Sequence, residues 1–297
     1  MGRTQGLHEL VARSADRSRQ AAAVRQGELE LTYAELQALA VQLAAELACA
    51  GVGAGQAVAL DLPGNPRMIA AMLATGILGA AFLPLDQRDP VARRAALGPD
   101  FAAAALVTED AVHAMGTAAA ARLEGAPAYL THLAGPGGRP EALVTAQRAA
   151  VDHVENAVAA YRLRPGDRQL QFAPPGSALA VEEVFATLAA GATLVLRDEA
   201  FGYDDLAGFL RLADERALTV LTLPTALCEE FGEELARNPR LLLPRGLRLL
   251  VAAGVQVRAT AAAAWQAAAR DAAFRIARSA APAGSAPPRP LSLSLPR

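Results

Sequence analysis

The run Pro66-Arg67-Met68-Ile69-Ala70-Ala71-Met72-Leu73-Ala74-Thr75-Gly76-Ile77-Leu78-Gly79-Ala80-Ala81-Phe82-Leu83-Pro84-Leu85-Asp86 decides the fold. Pro66 has its φ preset and needs no amide partner, so it suits the first turn of a helix. The apolar residues that follow carry that helix to Leu78, where Gly79 stops it. Residues 80–85 are then an apolar run too short for a helix, which reads as a buried strand. The same order returns in residues 181–196: a helix over 181–190, a stop at Gly191 and a strand over 192–196.

Outward from these two units the alternation continues. Strands are predicted at 58–62, 105–108, 169–173, 219–223 and 247–252, and helices from Asp89-Pro90 and over 147–161, 203–212, 225–236 and 259–273. Strands alternating with helices of this length predict a parallel, doubly wound α/β arrangement. At the N-terminal end, residues 7–19 read as a helix and 22–24 with 28–31 as a short strand pair. Thr32 and Glu35 form a capping-box pattern that starts a helix running to about residue 50. Gly51-Val52-Gly53-Ala54-Gly55 imitates a dinucleotide fingerprint, but it follows a helix rather than a strand and reads as a helix stop and turn.

The 297 residues suffice for one large or two smaller domains with a substantial core. The hydrophobic fraction of 53% is largely alanine, and charge, glycine or proline breaks every apolar run below membrane-spanning length. Residues 1–6 lack the apolar centre of a signal peptide. A soluble, cytoplasmic protein is the expectation, with no membrane partner. The net charge of -2 and an aromatic content of 4% offer no basic, aromatic-interleaved surface for nucleic acid. Cys49 and Cys228 are expected to be buried, reduced thiols. His8, His113, His132 and His153 show no metal-ligand spacing, so no metal site is expected. All 28 residues counted as Lys+Arg are arginine; a mechanism that needs a lysine ammonium finds none in these residues.

One stretch invites a functional reading. Leu133-Ala134-Gly135-Pro136-Gly137-Gly138-Arg139-Pro140-Glu141 is a glycine-rich turn between two extended segments, the arrangement from which phosphate cradles are built. A working cradle adds hydroxyls and a lysine. Here leucine, alanine and proline stand in the hydroxyl places, Pro136 lacks an N–H, and Glu141 carries the charge that would repel a triphosphate.

The order of elements and four local strings, 31–36, 79–86, 165–173 and 191–196, make the chain resemble the adenylation (AMP-binding) domains of nonribosomal peptide synthetases, in the adenylate-forming ligase superfamily. The likeness is collinear over about residues 7–273. It implies the large N-terminal part of an adenylate-forming fold, with two wound α/β subdomains packed together and the C-terminal subdomain missing. A domain over 1–278 is expected, with halves at 1–127 and 128–278, and a Pro/Ser/Ala-rich, disordered tail over 279–297. Relatives activate a carboxylic acid with ATP, release pyrophosphate and pass the acyl group to a carrier-protein thiol.

The resemblance also says where the chemistry would lie. The family's phosphate loop falls on the glycine turn, so Gly135, Gly137, Gly138, Arg139 and Glu141 hold the ATP-binding positions, with Glu141 in place of a lysine. The aspartate that pairs with a substrate ammonium falls on Ala178, beside Leu179. Glu182 and Glu183 follow; Glu182 would supply a displaced carboxylate or, with Glu183, would face the positive end of a helix dipole. A Gly-Gly-Glu pocket segment falls on Ala253-Gly254-Val255, without its acid. The adenine-binding segment falls on 280–284, where only Pro282 agrees. The expectation is a degenerate, truncated adenylation-like protein of secondary metabolism, a pseudoenzyme without a bound cofactor or catalytic residue of its own. Its role would be structural or partner-binding, beside synthetase, carrier-protein or condensation domains. The alternative is an AMP-forming acyl or aminoacyl ligase that uses ATP and Mg and is completed in trans by a separate C-terminal domain.

Overall fold

The structure, a computed structural model, describes residues 6–116, 122–134, 140–198, 202, 205–270 and 273–279. The first part runs α1 (Leu7–Arg17), β1 (Ala22–Gln26), β2 (Leu29–Thr32), α2 (Tyr33–Cys49), β3 (Ala57–Leu60), α3 (Pro66–Ile77), β4 (Ala81–Pro84), α4 (Val91–Asp100), β5 (Ala105–Val107) and β6 (Val112–Ala114). A hairpin of β7 (Pro127–Ala134) and β8 (Pro140–Ala146) leads to α5 (Gln147–Tyr161), β9 (Arg168–Gln171), α6 (Ala178–Ala189) and β10 (Thr193–Leu196). Then come α7 (Leu206–Glu215), β11 (Val220–Pro224), α8 (Thr225–Arg237), β12 (Leu249–Ala253), α9 (Ala259–Ala268) and β13 (Arg275–Arg278).

The strands form two sheets, ordered β13-β12-β11-β9-β10-β1-β2 and β6-β5-β3-β4-β7-β8. Their interiors are parallel, as the alternation predicts. Three of the four edges are not: β1–β2, β5–β6 and β7–β8 pair antiparallel, whereas the edge strand β13 runs parallel to β12. Each sheet also takes strands from distant parts of the chain. β1 and β2 join the seven-stranded sheet beside β10, and β7 and β8 close the six-stranded sheet beside β4. Hydrophobic pattern sets which face of a strand is buried, not which sheet it joins; that depends on contacts far apart in sequence. β6 and β13 escape the sequence reading because each is a short edge strand.

Strand alternation sorts the apolar side chains into layers. Val58 and Phe82 of the six-stranded sheet share one core with Leu194 and Leu249 of the other sheet and with α1, α2, α3, α5 and α6. Ala59 and Leu83 point the other way, onto Leu97 of α4. Leu170, Val195 and Leu250 point outward from the seven-stranded sheet onto α7, α8 and α9. Five layers result, helices alternating with sheets. Phe82 stacks on Tyr129 at 5.6 Å and on Phe185 of α6 at 5.9 Å, joining the six-stranded sheet to the central helices; burying each ring stabilises by about 2–3 kcal/mol.

Local chemistry fixes the element ends. Thr32 and Glu35 make the reciprocal capping box at α2. Asn65 caps α3 through Met68 N at 3.0 Å, with Pro66 next. Gly79 and Gly191 both take positive φ, +67° and +76°. Behind each, the following alanine N–H bonds the threonine carbonyl one turn back: Ala80 to Thr75 at 2.9 Å, Ala192 to Thr187 at 3.1 Å. That pattern is the Schellman stop. The turn at 165–168 is held by Asp167, whose carboxylate takes the Arg248 guanidinium at 2.5 Å and the Arg164 N–H at 2.9 Å.

Candidate functional site

In the seven-stranded sheet the chain passes from β9 to β10 on one side, then to β11 on the other. A crevice must therefore open above the carboxyl end of β9, the position where open α/β sheets bind ligands. An open cleft of 870 Å³ lies there. Phe172, Pro174 and Pro175 after β9, Arg197 and Asp198 after β10 and Pro224 at the end of β11 line one wall; Asp86 and Arg88 after β4 line the other. The floor is apolar, and of the charged residues Asp86, Arg88, Arg197 and Asp198 are tied, while Glu230 also lines the opening. Arg88 reaches Asp86 at 2.6 Å, Asp198 meets Arg216 at 3.4 Å, and the Arg197 guanidinium covers the Phe172 ring at 5.1 Å. Gln26 Nε2 donates to the carbonyls of Gly64 and Arg197, bridging the two walls.

The described residues among those singled out by sequence lie along the same carboxyl edge but do not form one cluster. Ala178 is exposed in the first turn of α6, and Leu179 beside it is half-buried. Ser177 caps that turn, its Oγ accepting from Ala180 N at 3.2 Å. Gly254 and Val255 follow β12, with β11 between them and β9. Gly254 has φ +126°, and Thr225 Oγ1 closes the turn by donating to the carbonyl of Val255 at 2.8 Å. Val255 is exposed. Gly135, Gly137, Gly138 and Arg139 lie outside the described residues, as do residues 280–297. The backbone of Glu141 pairs with Leu133 and Pro140 with Ala134 at the mouth of the β7–β8 hairpin. Since β7 runs parallel to β4, that mouth opens at the carboxyl edge of its own sheet.

Glu182 and Glu183 differ most from expectation. α6 starts at Ala178 rather than at 181, so the pair sits one turn into the helix and does not cap its dipole. Both are buried, at 2% and 1% exposure. Glu182 accepts from Tyr161 Oη at 2.8 Å and Ser279 Oγ at 3.2 Å, and its other oxygen lies 2.7 Å from His153 Nε2. A carboxylate engaged by three partners is not offered to a ligand ammonium. Glu183 accepts the N–H groups of Phe172 at 3.1 Å and Ala173 at 3.0 Å. Burial pushes its carboxyl up to about 8, reinforced by the charge of Glu182 and opposed by the two amide bonds and by the Gln171 side chain. Gln169, Thr187 and Thr222 continue the polar seam between β9, α6 and β11.

Sequence reasoning missed His153 and Tyr161 as partners of this seam. The signal was the acidic pair itself, set inside a helix otherwise apolar. Of the cysteines, Cys228 is buried and its thiol is pushed up to about 12 by burial, whereas Cys49 is exposed on α2, contrary to expectation. Among the described residues no group of three or more His, Cys, Asp or Glu side chains is placed to hold a metal.

This architecture and edge have known counterparts. The model of the AMP-binding enzyme family matches residues 11–134 and 124–276, and the chain belongs to that family. The isonitrile lipopeptide synthase of Streptomyces coeruleorubidus is 37% identical over 246 residues, 75% of this chain and 17% of that protein. The phenyloxazoline synthase of Mycolicibacterium paratuberculosis is 32% identical over 236 residues, 73% of this chain and 20% of that protein. The chain thus spans a fifth or less of these relatives. Among solved structures, the Klebsiella oxytoca NpsA N-terminal subdomain in complex with 3-hydroxybenzoyl-AMSN superposes with a TM-score of 0.74 at 20% identity, over 92% of this chain and 72% of that one. The AMPPNP-bound nonribosomal peptide synthetase FmoA3 gives 0.76 at 25% identity, over 93% of this chain and 31% of that one. The chain is an adenylation-domain-like region of the nonribosomal peptide synthetase type, with the fold of the N-terminal subdomain.

Described residues at the carboxyl edge fit ATP and Mg poorly. Ala178 and Val255 offer no side-chain polar atom, Glu182 is engaged by its own neighbours, and lysine is absent from the 297 residues. No helix among the described residues is long and apolar enough to cross a membrane.

Proposed function

We propose that this chain is a degenerate adenylation domain that does not form acyl adenylates by itself and acts through protein partners of a peptide-synthetase system. One observation carries the reading: the carboxyls of α6 itself, Glu182 and Glu183, are buried and engaged by internal hydrogen bonds, while Ala178 stands exposed at its first turn. A substrate ammonium would meet a methyl group there. The absence of lysine supports the same conclusion, since acyl adenylation builds negative charge that a cation must stabilise. Fused or neighbouring synthetase, carrier-protein or condensation domains are the partners that the relatives' architecture suggests, and the cytoplasmic location belongs to the same proposal. Titration with ATP by calorimetry tests it, alongside pyrophosphate release with a panel of carboxylic acids. No heat and no pyrophosphate are expected; micromolar ATP affinity would overturn the reading.

The open cleft favours a second reading. A site that has lost all ligand could collapse, yet 870 Å³ stays open at the switch point. An adenylating ligase completed in trans by a lysine-bearing C-terminal domain would need such a space. Pyrophosphate release that requires both the added domain and ATP would select this alternative.

A further inference from the structure

The edge of the seven-stranded sheet opposite the cleft gathers arginines. β9, β11, β12 and β13 run parallel, so Arg168 at the start of β9, Arg248 just before β12 and Arg275 at the start of β13 arrive at one amino edge. The chain enters that edge from α5 through the turn at 162–167, which adds Arg162 and Arg164. Side-chain bonds tie the group together. Arg248 donates to the carbonyl of Arg162 at 3.0 Å and to the carboxylate of Asp167 at 2.5 Å, and Arg275 donates to the carbonyl of Tyr161 at 3.3 Å. Arg168 donates to the carbonyl of Arg216, at the end of α7, at 3.4 Å.

Carbonyls hold guanidiniums in place without neutralising them. Five guanidiniums here meet one carboxylate, that of Asp167, which is buried and engaged by Arg248 and the Arg164 N–H. Arg162 and Arg164 are exposed, and no described residue gives either side chain a hydrogen bond or an ion pair. Asp214 and Glu215 border the group at the end of α7, with the exposed Arg245 beside them, its N–H bonding Asp214 at 2.6 Å. The whole chain carries a net charge of -2, so the positive excess is local. Like charges held this close repel one another, and a counter-charge brought from outside relieves that repulsion.

We propose that this arginine edge is a docking face for a carboxylate-bearing segment of a partner protein. A guanidinium presents a planar fork that matches a carboxylate with two parallel bonds. Arg162 and Arg164, two residues apart on an exposed turn, therefore take two acids from one segment. Arg248, Arg275 and Asp167 hold that turn in shape, so both forks are aimed before a partner arrives. Nucleic acid fits less well, since none of the described aromatic side chains is exposed for stacking on a base. The inference rests on the partner role proposed above and places the partner on the edge away from the cleft.

Titration of the full chain with hexaglutamate, followed by two-dimensional NMR, tests it. Saturable binding is expected, with shifts centred on residues 161–168, 248 and 275 and with affinity falling as salt is added. The double variant Arg162→Gln, Arg164→Gln removes two side chains that carry no internal bond, so it should keep the wild-type melting temperature and bind about tenfold more weakly. The double variant Arg13→Gln, Arg148→Gln removes the same charge from exposed positions on α1 and α5 and should bind like the wild type. No saturable binding, shifts centred on another face, or equal losses in the two double variants overturns the proposal. Tighter binding of oligothymidylate of equal charge overturns it too, by assigning the face to nucleic acid. The wild-type shifts decide the matter if a variant does not fold. ATP binding or pyrophosphate release counts against the partner role itself and is read in a separate assay, so the two failures are distinguishable.

Discussion

The unit α3–Gly79–β4 and the unit α6–Gly191–β10 are built alike and seated differently. Each is a capped helix ended by a left-handed glycine, with the same pair of backbone bonds in the stop and a strand buried on both faces. Counted back from the glycine, Ala70 and Ala71 of the first unit stand where the second has Glu182 and Glu183. The first helix rests on an apolar seat; the second rests on Gln169, Thr222 and the Phe172 and Ala173 amides of the cleft wall. One backbone device therefore serves two purposes. Apolar side chains make it scaffold, and buried carboxyls make it a support for the wall of the cleft.

Exchanging the seats breaks the comparison most sharply. Ala71→Glu places a carboxyl at a position with no exposure and no donor. We expect a loss of about 4 kcal/mol in urea unfolding; a loss below 1 kcal/mol would mean that the first seat is as tolerant of charge as the second. Removing the Glu183 carboxyl comes next. Glu183→Ala leaves two buried N–H groups unpaired and a void behind them, and should cost about 3 kcal/mol at pH 5.

The isosteric change Glu183→Gln separates charge from packing. The folded carboxyl keeps its proton up to about 8, whereas the unfolded one loses it near the ordinary 4.5. Wild-type stability attributable to this group is therefore greatest below the unfolded value and declines as pH rises toward the folded one. Relative to wild type, Glu183→Gln should gain up to about 1.4 kcal/mol per pH unit across that window and level off above it. A flat difference across the window would assign Glu183 an ordinary acidity.

The smallest effects test the likeness of the two units. Gly79→Ala and Gly191→Ala force a Cβ into the left-handed region and should each cost about 1–2 kcal/mol, equal in the two units to within about 0.5 kcal/mol. Asn65→Ala and Ser177→Ala remove the two helix caps, for about 1 kcal/mol each. Unequal costs in either pair, measured by thermal unfolding, would show that the likeness is confined to geometry.

Much of this was legible beforehand. Gly79 and Gly191 announce their stops because only glycine takes positive φ without strain, and Thr32 with Glu35 announces the start of α2 because the capping box is local. The interior strands are recognisable as apolar runs between helices. The start of α6 was placed three residues late, since its first turn, Ala178-Leu179-Ala180, carries no periodic signal of its own. The strand pair β1–β2 was recognised as a pair but not as part of the second sheet, because its parallel neighbour β10 lies more than 160 residues away.

For the site the balance shifts. The sequence by itself determined what the carboxyl edge lacks: lysine is absent throughout, Ala178 and Val255 carry no charge, and Glu141 stands at the strand that closes the glycine turn. Such facts need only the identity of each residue. Only the tertiary structure decided what Glu182 and Glu183 do. In the chain they are two adjacent acids, as apt for a helix end as for a ligand. Packing α5, β9 and β13 around α6 buries them, gives Glu182 its Tyr161, His153 and Ser279 contacts, and turns Glu183 onto the Phe172 and Ala173 amides. A carboxyl's role follows from its donors and its distance from water, and both are set by segments remote in sequence.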